Sequence, residues 1–159
     1  IRSLTYTQRG KLLIVGDGPY KNWLVNLVKK LDLNDRVIFV GPVDDYWLPS
    51  YYSATDVVIL PSTSRLEAFG IVGLEGMATA KPLILSDIPG VRDVISEKEG
   101  YIVEPLDPSA IAEALEKIWN APEMAREMGL RGRERVEKLF SWEKVSKDVE
   151  SVFKNILSK

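Results

Sequence analysis

The sequence predicts an α/β fold with a Rossmann-like, doubly wound parallel sheet of about five strands and C-terminal helices. Short, continuous apolar runs, typical of strands buried on both faces, alternate with segments of helical periodicity through the first two-thirds of the chain. The last third has only helical patterns. Because strands that alternate with helices form parallel sheets, we expect a single domain over residues 1–159.

The predicted strands are the apolar runs, and most of them end at Gly, Pro or small polar residues. They are residues 11–15, 36–40, 56–60, 82–86 and 100–103. Predicted helices connect and follow them, at residues 20–33, 44–53, 69–80, 91–96, 109–119, 122–139 and 142–157. Asp44 or Asp45 is the expected cap of the second helix, and Ser141 that of the last.

Composition excludes several kinds of chemistry. The chain has no Cys and no His, so it cannot form a disulfide, a thiolate zinc site, a Ser-His-Asp triad or an H-E-x-x-H metal site. With a net charge of -2, the chain lacks the excess of basic residues that is typical of nucleic-acid-binding proteins. No apolar run approaches the ~20 residues of a membrane span, and no signal-peptide pattern begins the chain. We therefore expect a cytoplasmic domain without nucleic-acid partners or membrane contact.

The unusual residues gather at the predicted strand ends. Ligands of open parallel sheets bind outside the carboxyl ends of the strands. Those ends carry Gly16-Asp17-Gly18, Gly41-Pro42, residues 62–70 and residues 86–90. Tight turns alone also use Gly and Pro, which is the alternative interpretation. A dinucleotide fingerprint is excluded because Lys21 stands in place of its third Gly, and no P-loop motif occurs.

The helix predicted at residues 69–80 breaks its own propensity rule. It contains Gly70, Gly73 and Gly76, and each Gly inside a helix costs about 0.5–1 kcal/mol relative to Ala. Such a helix either packs unusually close to its neighbours or serves a function. Close packing on the sheet is the expected role of Gly73 and Gly76.

Two glutamates flank the start of this helix. Glu67 precedes it and Glu75 lies inside it, about 12 Å apart if the intervening residues are helical. That exceeds the roughly 5 Å of a retaining hydrolase's carboxylate pair and matches a nucleotide-diphosphate sugar from ribose to hexose. Free N–H groups of residues 68–71 would form an anion site for a diphosphate. Alternatively, each glutamate is an ordinary surface charge.

The segment Glu67-Ala-Phe-Gly-Ile-Val-Gly-Leu-Glu75 resembles the E-x7-E motif of group 1 (family 4) retaining glycosyltransferases with the GT-B fold. Further similar strings follow in register over about residues 11–157. They are Val15-Gly-Asp-Gly-Pro19, Val37-Ile-Phe-Val-Gly41, Tyr52-Ser-Ala-Thr-Asp56, Leu60-Pro-Ser62, Ser86-Asp-Ile-Pro-Gly-Val-Arg-Asp-Val-Ile95 and Gly100-Tyr-Ile-Val-Glu-Pro-Leu-Asp-Pro108.

The resemblance implies the C-terminal, donor-binding half of an enzyme that transfers a hexose from a nucleotide-diphosphate sugar with retention. Glu67 would be the catalytic residue, orienting the sugar hydroxyls near the reacting carbon, and Glu75 would accept hydrogen bonds from the ribose. The residues that would bind the donor are Gly16, Gly41, Val43, Phe69, Gly70, Ile71, Val72 and Glu75. Apart from the donor substrate, the resemblance implies no cofactor and no metal.

Two departures from the family pattern bear on activity. Ala80 stands where the family usually has Gly, which matters if that residue needs a positive φ. The family's first strand, with its phosphate-neutralising Arg and Lys, has no match in residues 1–10, and the N-terminal acceptor-binding domain is missing. We therefore expect an excised domain or a naturally short relative, with weak donor binding and little turnover.

Two alternatives remain open. Another GT-B enzyme, such as a nucleotide-sugar epimerase or a phosphorylase, would carry a different motif between Leu60 and Pro82. The other alternative is a non-catalytic nucleotide-sugar-binding or scaffold module with a Rossmann-like fold. A phosphoacceptor receiver of this kind needs clustered Asp residues at strand ends, and Asp17, Asp56 and Asp87 do not form that pattern because Asp56 starts its strand. The nucleotide base, the sugar and the acceptor leave no side-chain signature in this sequence.

Overall fold

The structure is a computed structural model that describes residues 1–64 and 66–157. The strands are β1 (Leu12–Val15), β2 (Val37–Gly41), β3 (Val58–Leu60), β4 (Leu83–Ser86) and β5 (Gly100–Val103). The helices are α1 (Lys21–Lys30), α2 (Leu48–Ser53), α3 (Ile71–Ala78), α4 (Pro108–Asn120), α5 (Pro122–Leu139) and α6 (Trp142–Leu157). Short 3-10 turns occur at Arg2–Tyr6 and Arg92–Val94.

The predicted fold class is confirmed, because every pair of adjacent strands is parallel and α-helices connect the strands from β1 to β4. A short 3-10 turn connects β4 to β5. The strands are hydrogen-bonded in two groups, β1-β2 and β3-β4-β5. In the first group the Gly16 amide also donates to the Gly41 carbonyl at 2.7 Å. The carboxyl ends of neighbouring parallel strands therefore lie side by side, as the sequence predicts.

The core explains the continuous apolar character of β4. Leu83 and Leu85 face Met77 of α3 on one side of the sheet, whereas Ile84 faces Leu115 of α4 on the other. All of these residues are buried. A strand covered on both faces needs apolar residues at every position, which removes the alternating pattern of a half-exposed strand.

The N-terminal segment joins the two groups of strands. The Arg36 guanidinium donates to the Thr7 carbonyl at 2.9 Å and to other carbonyls of the same segment. Arg9 pairs with Glu116 of α4 at 3.0 Å and lies over the ring of Trp119. Residues 1–10 thus connect the β1-β2 group to α4.

Two helix predictions were wrong in part, one in its type and extent and the other in its start. Residues 91–96 form only the turn Arg92–Val94. The second helix begins at Leu48 and has no side-chain cap, since Asp44 instead accepts from the Tyr46 amide at 2.9 Å in a preceding turn. The cap of α6 is confirmed, because the Ser141 hydroxyl accepts from the Lys144 amide at 3.3 Å.

Helix α3 is shorter at both ends than the predicted 69–80. Gly70 has φ +73° and Ala80 has φ +56°, and left-handed residues end a helix. The close packing predicted for its glycines is confirmed. A Cβ on Gly76 would lie 2.8 Å from Leu83, and one on Gly73 would lie 3.4 Å from Val94.

Replacing Ala80 with Gly is expected to raise the free energy of unfolding by about 0.5–1 kcal/mol. The left-handed conformation costs a non-Gly residue roughly 1–2 kcal/mol, and the greater freedom of Gly in the unfolded chain offsets about half of this. Urea denaturation measures the change. A midpoint below that of the unmodified chain would show that Ala80 is not strained.

Within residues 1–64 and 66–157, no helix combines the length and the apolar character needed to cross a membrane.

Candidate functional site

The loop before α3 is organised by Glu67. Gly70 is the N-cap residue of α3 and has no side chain of its own to cap the helix. Instead, Oε1 of the Glu67 carboxylate accepts a hydrogen bond from the amide of Gly70 itself at 3.1 Å. The prediction that this amide is free was therefore wrong, because a carboxylate three residues upstream satisfies it.

Two other amides at this end of α3 have no acceptor among the described residues. They belong to Ile71 and Val72, whereas the Gly73 amide donates to the Gly70 carbonyl at 2.8 Å. Ile71 is exposed, and Val72 packs against the core beside β3 and β4. The positive end of the α3 dipole and two free N–H groups can stabilise an anion there.

The loop after β4 packs directly on the loop after β3. A Cβ on Gly90, which has φ +91°, would lie 2.0 Å from the Ala68 carbonyl oxygen. The ring of Phe69 makes an edge contact with Phe140, the residue after α5, at 5.9 Å between ring centroids. The segment around Glu67 is thus held by contacts with residues distant in sequence.

Glu75 has a partner that sequence reasoning missed. The Tyr52 hydroxyl, near the end of α2, donates to Glu75 Oε2 at 2.6 Å. Both side chains are half-buried. Burial, and then the bond to Glu75, raise the pKa of Tyr52 well above its ordinary value, so the phenol stays protonated. Tyr52 stood in one of the family-like strings, but nothing in its spacing pointed to Glu75.

A second group of predicted residues lies where β1 and β2 end. Gly16 has φ +107° and Gly41 has φ +84°, and no atom lies within 4 Å of a Cβ built on either. Val43 follows in the adjoining loop and is half-buried. Among the described residues, no hydrogen bond or ion pair joins this group to the α3 group.

Two basic side chains near the strand ends form ion pairs with neighbouring carboxylates. Lys21 lies 2.9 Å from Asp17 after β1, and Arg92 lies 2.8 Å from Asp87 after β4. The hydrogen bond from Lys21 lowers the pKa of Asp17, and the bond to Asp87 raises the pKa of Arg92. Both cations therefore already have a carboxylate partner.

The sequence model of the family described as glycosyl transferases group 1 matches residues 2–135. The chain belongs to the group 1 glycosyltransferases. A curated relative, the N-acetyl-alpha-D-glucosaminyl L-malate synthase of Bacillus anthracis, is 35% identical over 92% of this chain and 38% of its own length. The family predicted from the Glu67–Glu75 segment and its neighbouring strings is thus confirmed.

Solved structures of group 1 relatives agree with the fold. The sucrose-phosphate synthase of Thermosynechococcus elongatus superposes with a TM-score of 0.89 at 35% identity, over 98% of this chain and 41% of that one. The C-terminal domain of the Francisella tularensis protein LpcC superposes with a TM-score of 0.71 at 22% identity, over 89% of this chain and 92% of that one. The chain spans about two-fifths of the length of the first two relatives.

Proposed function

We propose that this chain is the donor-binding domain of a retaining hexosyltransferase and that its ligand is a nucleotide-diphosphate sugar. Membership of the group 1 glycosyltransferase family supports the reaction class. The likeness in fold to the C-terminal domain of LpcC supports the assignment to the donor half. Binding and orientation of the donor are the part of the reaction that falls to this chain.

The arrangement at the start of α3 carries the proposal. Glu67 and Glu75 are both half-buried, and the free amides of Ile71 and Val72 lie between them along the chain. In our proposal Glu67 orients hydroxyls of the donor sugar, and Glu75 accepts from the ribose. The amides of residues 69–72 stabilise the diphosphate, which gains negative charge as it becomes the leaving group.

The Gly70 amide has two acceptors in this proposal. Glu67 accepts from it in the structure, and a donor phosphate would compete for the same N–H. The second oxygen of Glu67 accepts no hydrogen bond from any described residue, so a sugar hydroxyl can donate to it. The backbone from Gly41 to Val43 borders the base of the nucleotide. Gly16 leaves room for the phosphate-sugar portion, because it has no side chain and no atom lies within 4 Å of a Cβ built on it.

The isolated chain is proposed to bind donors weakly and to transfer little sugar. The cations Lys21 and Arg92 are already paired with carboxylates. They therefore neutralise a diphosphate poorly, and an acceptor-binding domain is needed to complete the cleft. Sub-micromolar binding, or sugar transfer by this chain alone, would contradict this part of the proposal.

Glutamine substitutions at the two glutamates test the donor site. Glu67→Gln and Glu75→Gln are each expected to weaken the binding of the preferred donor at least tenfold, because a charged hydrogen bond contributes about 1.5–3 kcal/mol. Calorimetric titration with UDP-glucose, ADP-glucose and GDP-mannose measures the binding. The melting temperature should stay within about 3 °C of the unmodified chain, since glutamine keeps the size of the side chain.

Glu113 provides the matched control. It is an exposed glutamate on α4, which packs on the opposite face of the sheet from α3. Glu113→Gln should leave donor binding unchanged. Equal binding by the unmodified chain and both site variants would contradict the site, and no binding of any donor by the unmodified chain would contradict donor binding itself.

A further inference from the structure

The hydrogen bond between Tyr52 and Glu75 joins α2, which precedes β3 in the chain, to α3, which follows it. Tyr52 lies near the end of α2, Glu75 lies in the second turn of α3, and 23 residues separate them in sequence. The donor–acceptor distance of 2.6 Å is typical of a hydroxyl that donates to a carboxylate. Such a bond restricts the rotamer of a glutamate that otherwise has three rotatable torsions.

The ring of Tyr52 is itself anchored. It packs against the core formed by α3, β3 and β4. Burial raises the pKa of the Tyr52 phenol further above its ordinary value, so the hydroxyl remains a hydrogen-bond donor to Glu75. Apolar packing thus fixes the position of the ring, and the hydrogen bond from its hydroxyl fixes the position of the Glu75 carboxylate.

Only one oxygen of Glu75 is used within the described part of the chain. Oε2 accepts from Tyr52, whereas Oε1 accepts no hydrogen bond from residues 1–64 or 66–157. A carboxylate that is fixed through one oxygen can accept hydrogen bonds from a ligand through the other oxygen. Binding then costs little side-chain conformational entropy, because the rotamer is already restricted.

We propose that Tyr52 is a positioning residue that holds Glu75 for the ribose hydroxyls of a nucleoside diphosphate. The pair thereby favours ribonucleotides over nucleotides that lack those hydroxyls. This inference rests on the proposed function, in which Glu75 binds the ribose. It adds a second residue, on a different helix, to the recognition of the nucleoside.

The test compares three variants and the unmodified chain with two ligands. Tyr52→Phe removes only the hydroxyl and keeps the packed ring. Binding is measured by calorimetry with whichever of UDP, GDP and ADP the unmodified chain prefers, and with the 2′,3′-dideoxy analogue of that nucleotide. Tyr52→Phe should weaken binding of the ribonucleotide about three- to tenfold and change binding of the analogue less than twofold.

Tyr51→Phe is the control. Tyr51 neighbours Tyr52 on α2, is also half-buried, and its hydroxyl has no partner among the described residues. Its variant should bind both ligands like the unmodified chain. A merely structural role of Tyr52 would weaken both ligands equally, and that result would overturn the inference.

Glu75→Gln separates failure of this inference from failure of the proposed function. Loss of ribonucleotide binding in Glu75→Gln with full binding in Tyr52→Phe would overturn the role of Tyr52 and leave that of Glu75 intact. Full binding in Glu75→Gln, or no nucleotide binding by the unmodified chain, would overturn both proposals.

Discussion

Replacing Gly129 with Ala is expected to lower the free energy of unfolding by about 3 kcal/mol or more. Gly129 lies inside α5, where a change to Ala would ordinarily stabilise the helix by about 0.5–1 kcal/mol. Here the added Cβ would lie 2.0 Å from the Ala80 carbonyl oxygen and 2.6 Å from its carbon. Both are backbone atoms, so relief requires α5 to move away from the turn that ends α3.

Urea denaturation measures this effect, and Gly132→Ala is its matched control. Gly132 lies one turn later on the same helix, and its added Cβ would meet the flexible side chain of Met77 at 3.0 Å. We expect a change within about 1 kcal/mol for that variant, because the methionine can adjust. A Gly129→Ala midpoint equal to that of Gly132→Ala would contradict the close approach of α5 to Ala80.

Replacing Gly90 with Ala is expected to weaken binding of the nucleotide-sugar donor at least tenfold and also to destabilise the chain by about 3 kcal/mol. The added Cβ would lie 2.0 Å from the Ala68 carbonyl oxygen, and the φ of +91° strains any side chain. Ala68 follows Glu67 directly, so relief of the contact shifts the carboxylate that caps α3. Because hydrogen bonds are sensitive to such displacements, the folded variant should also bind the donor more weakly than the unmodified chain does.

Gly100→Ala separates the two effects. Its Cβ would lie 2.1 Å from the Leu83 carbonyl oxygen, at the start of β5 and thus at the opposite end of the sheet from the candidate site. Its loss of stability should be similar, whereas binding of the nucleotide-sugar donor by the folded protein should not change. Calorimetric titration at a temperature where both variants are folded gives the comparison. Unchanged binding in Gly90→Ala would contradict a site at Glu67.

Strand β4 was predictable because burial on both faces leaves a local pattern in the sequence. Residues 82–86 form a continuous run of this kind, and the structure places β4 at Leu83–Ser86. The ends of α3 were less predictable. Whether Gly70 and Ala80 continue the helix depends on their φ angles, which follow from the loops and from α5 packed against them. Propensity alone favours Ala80 in a helix.

The places of the two glutamates in the fold were predictable, but their contacts were not. Glu67 and Glu75 were selected by their spacing and their place at a strand end, and the structure puts Glu67 in the loop before α3 and Glu75 in its second turn. Their partners, the Gly70 amide and the Tyr52 hydroxyl, were not anticipated. The bond to Gly70 depends on a loop conformation, and the bond to Tyr52 crosses between helices.

The α/β class, the approximate strands and the membership of the group 1 glycosyltransferases can be inferred from the amino-acid sequence. Each of these follows from hydrophobic periodicity or from residue strings that are read along the chain. Three contacts are visible only in the folded chain: Glu67 accepts from the Gly70 amide, Gly90 lies against Ala68, and Tyr52 donates to Glu75. These contacts join segments far apart in the chain or depend on loop φ angles, and local sequence patterns specify neither.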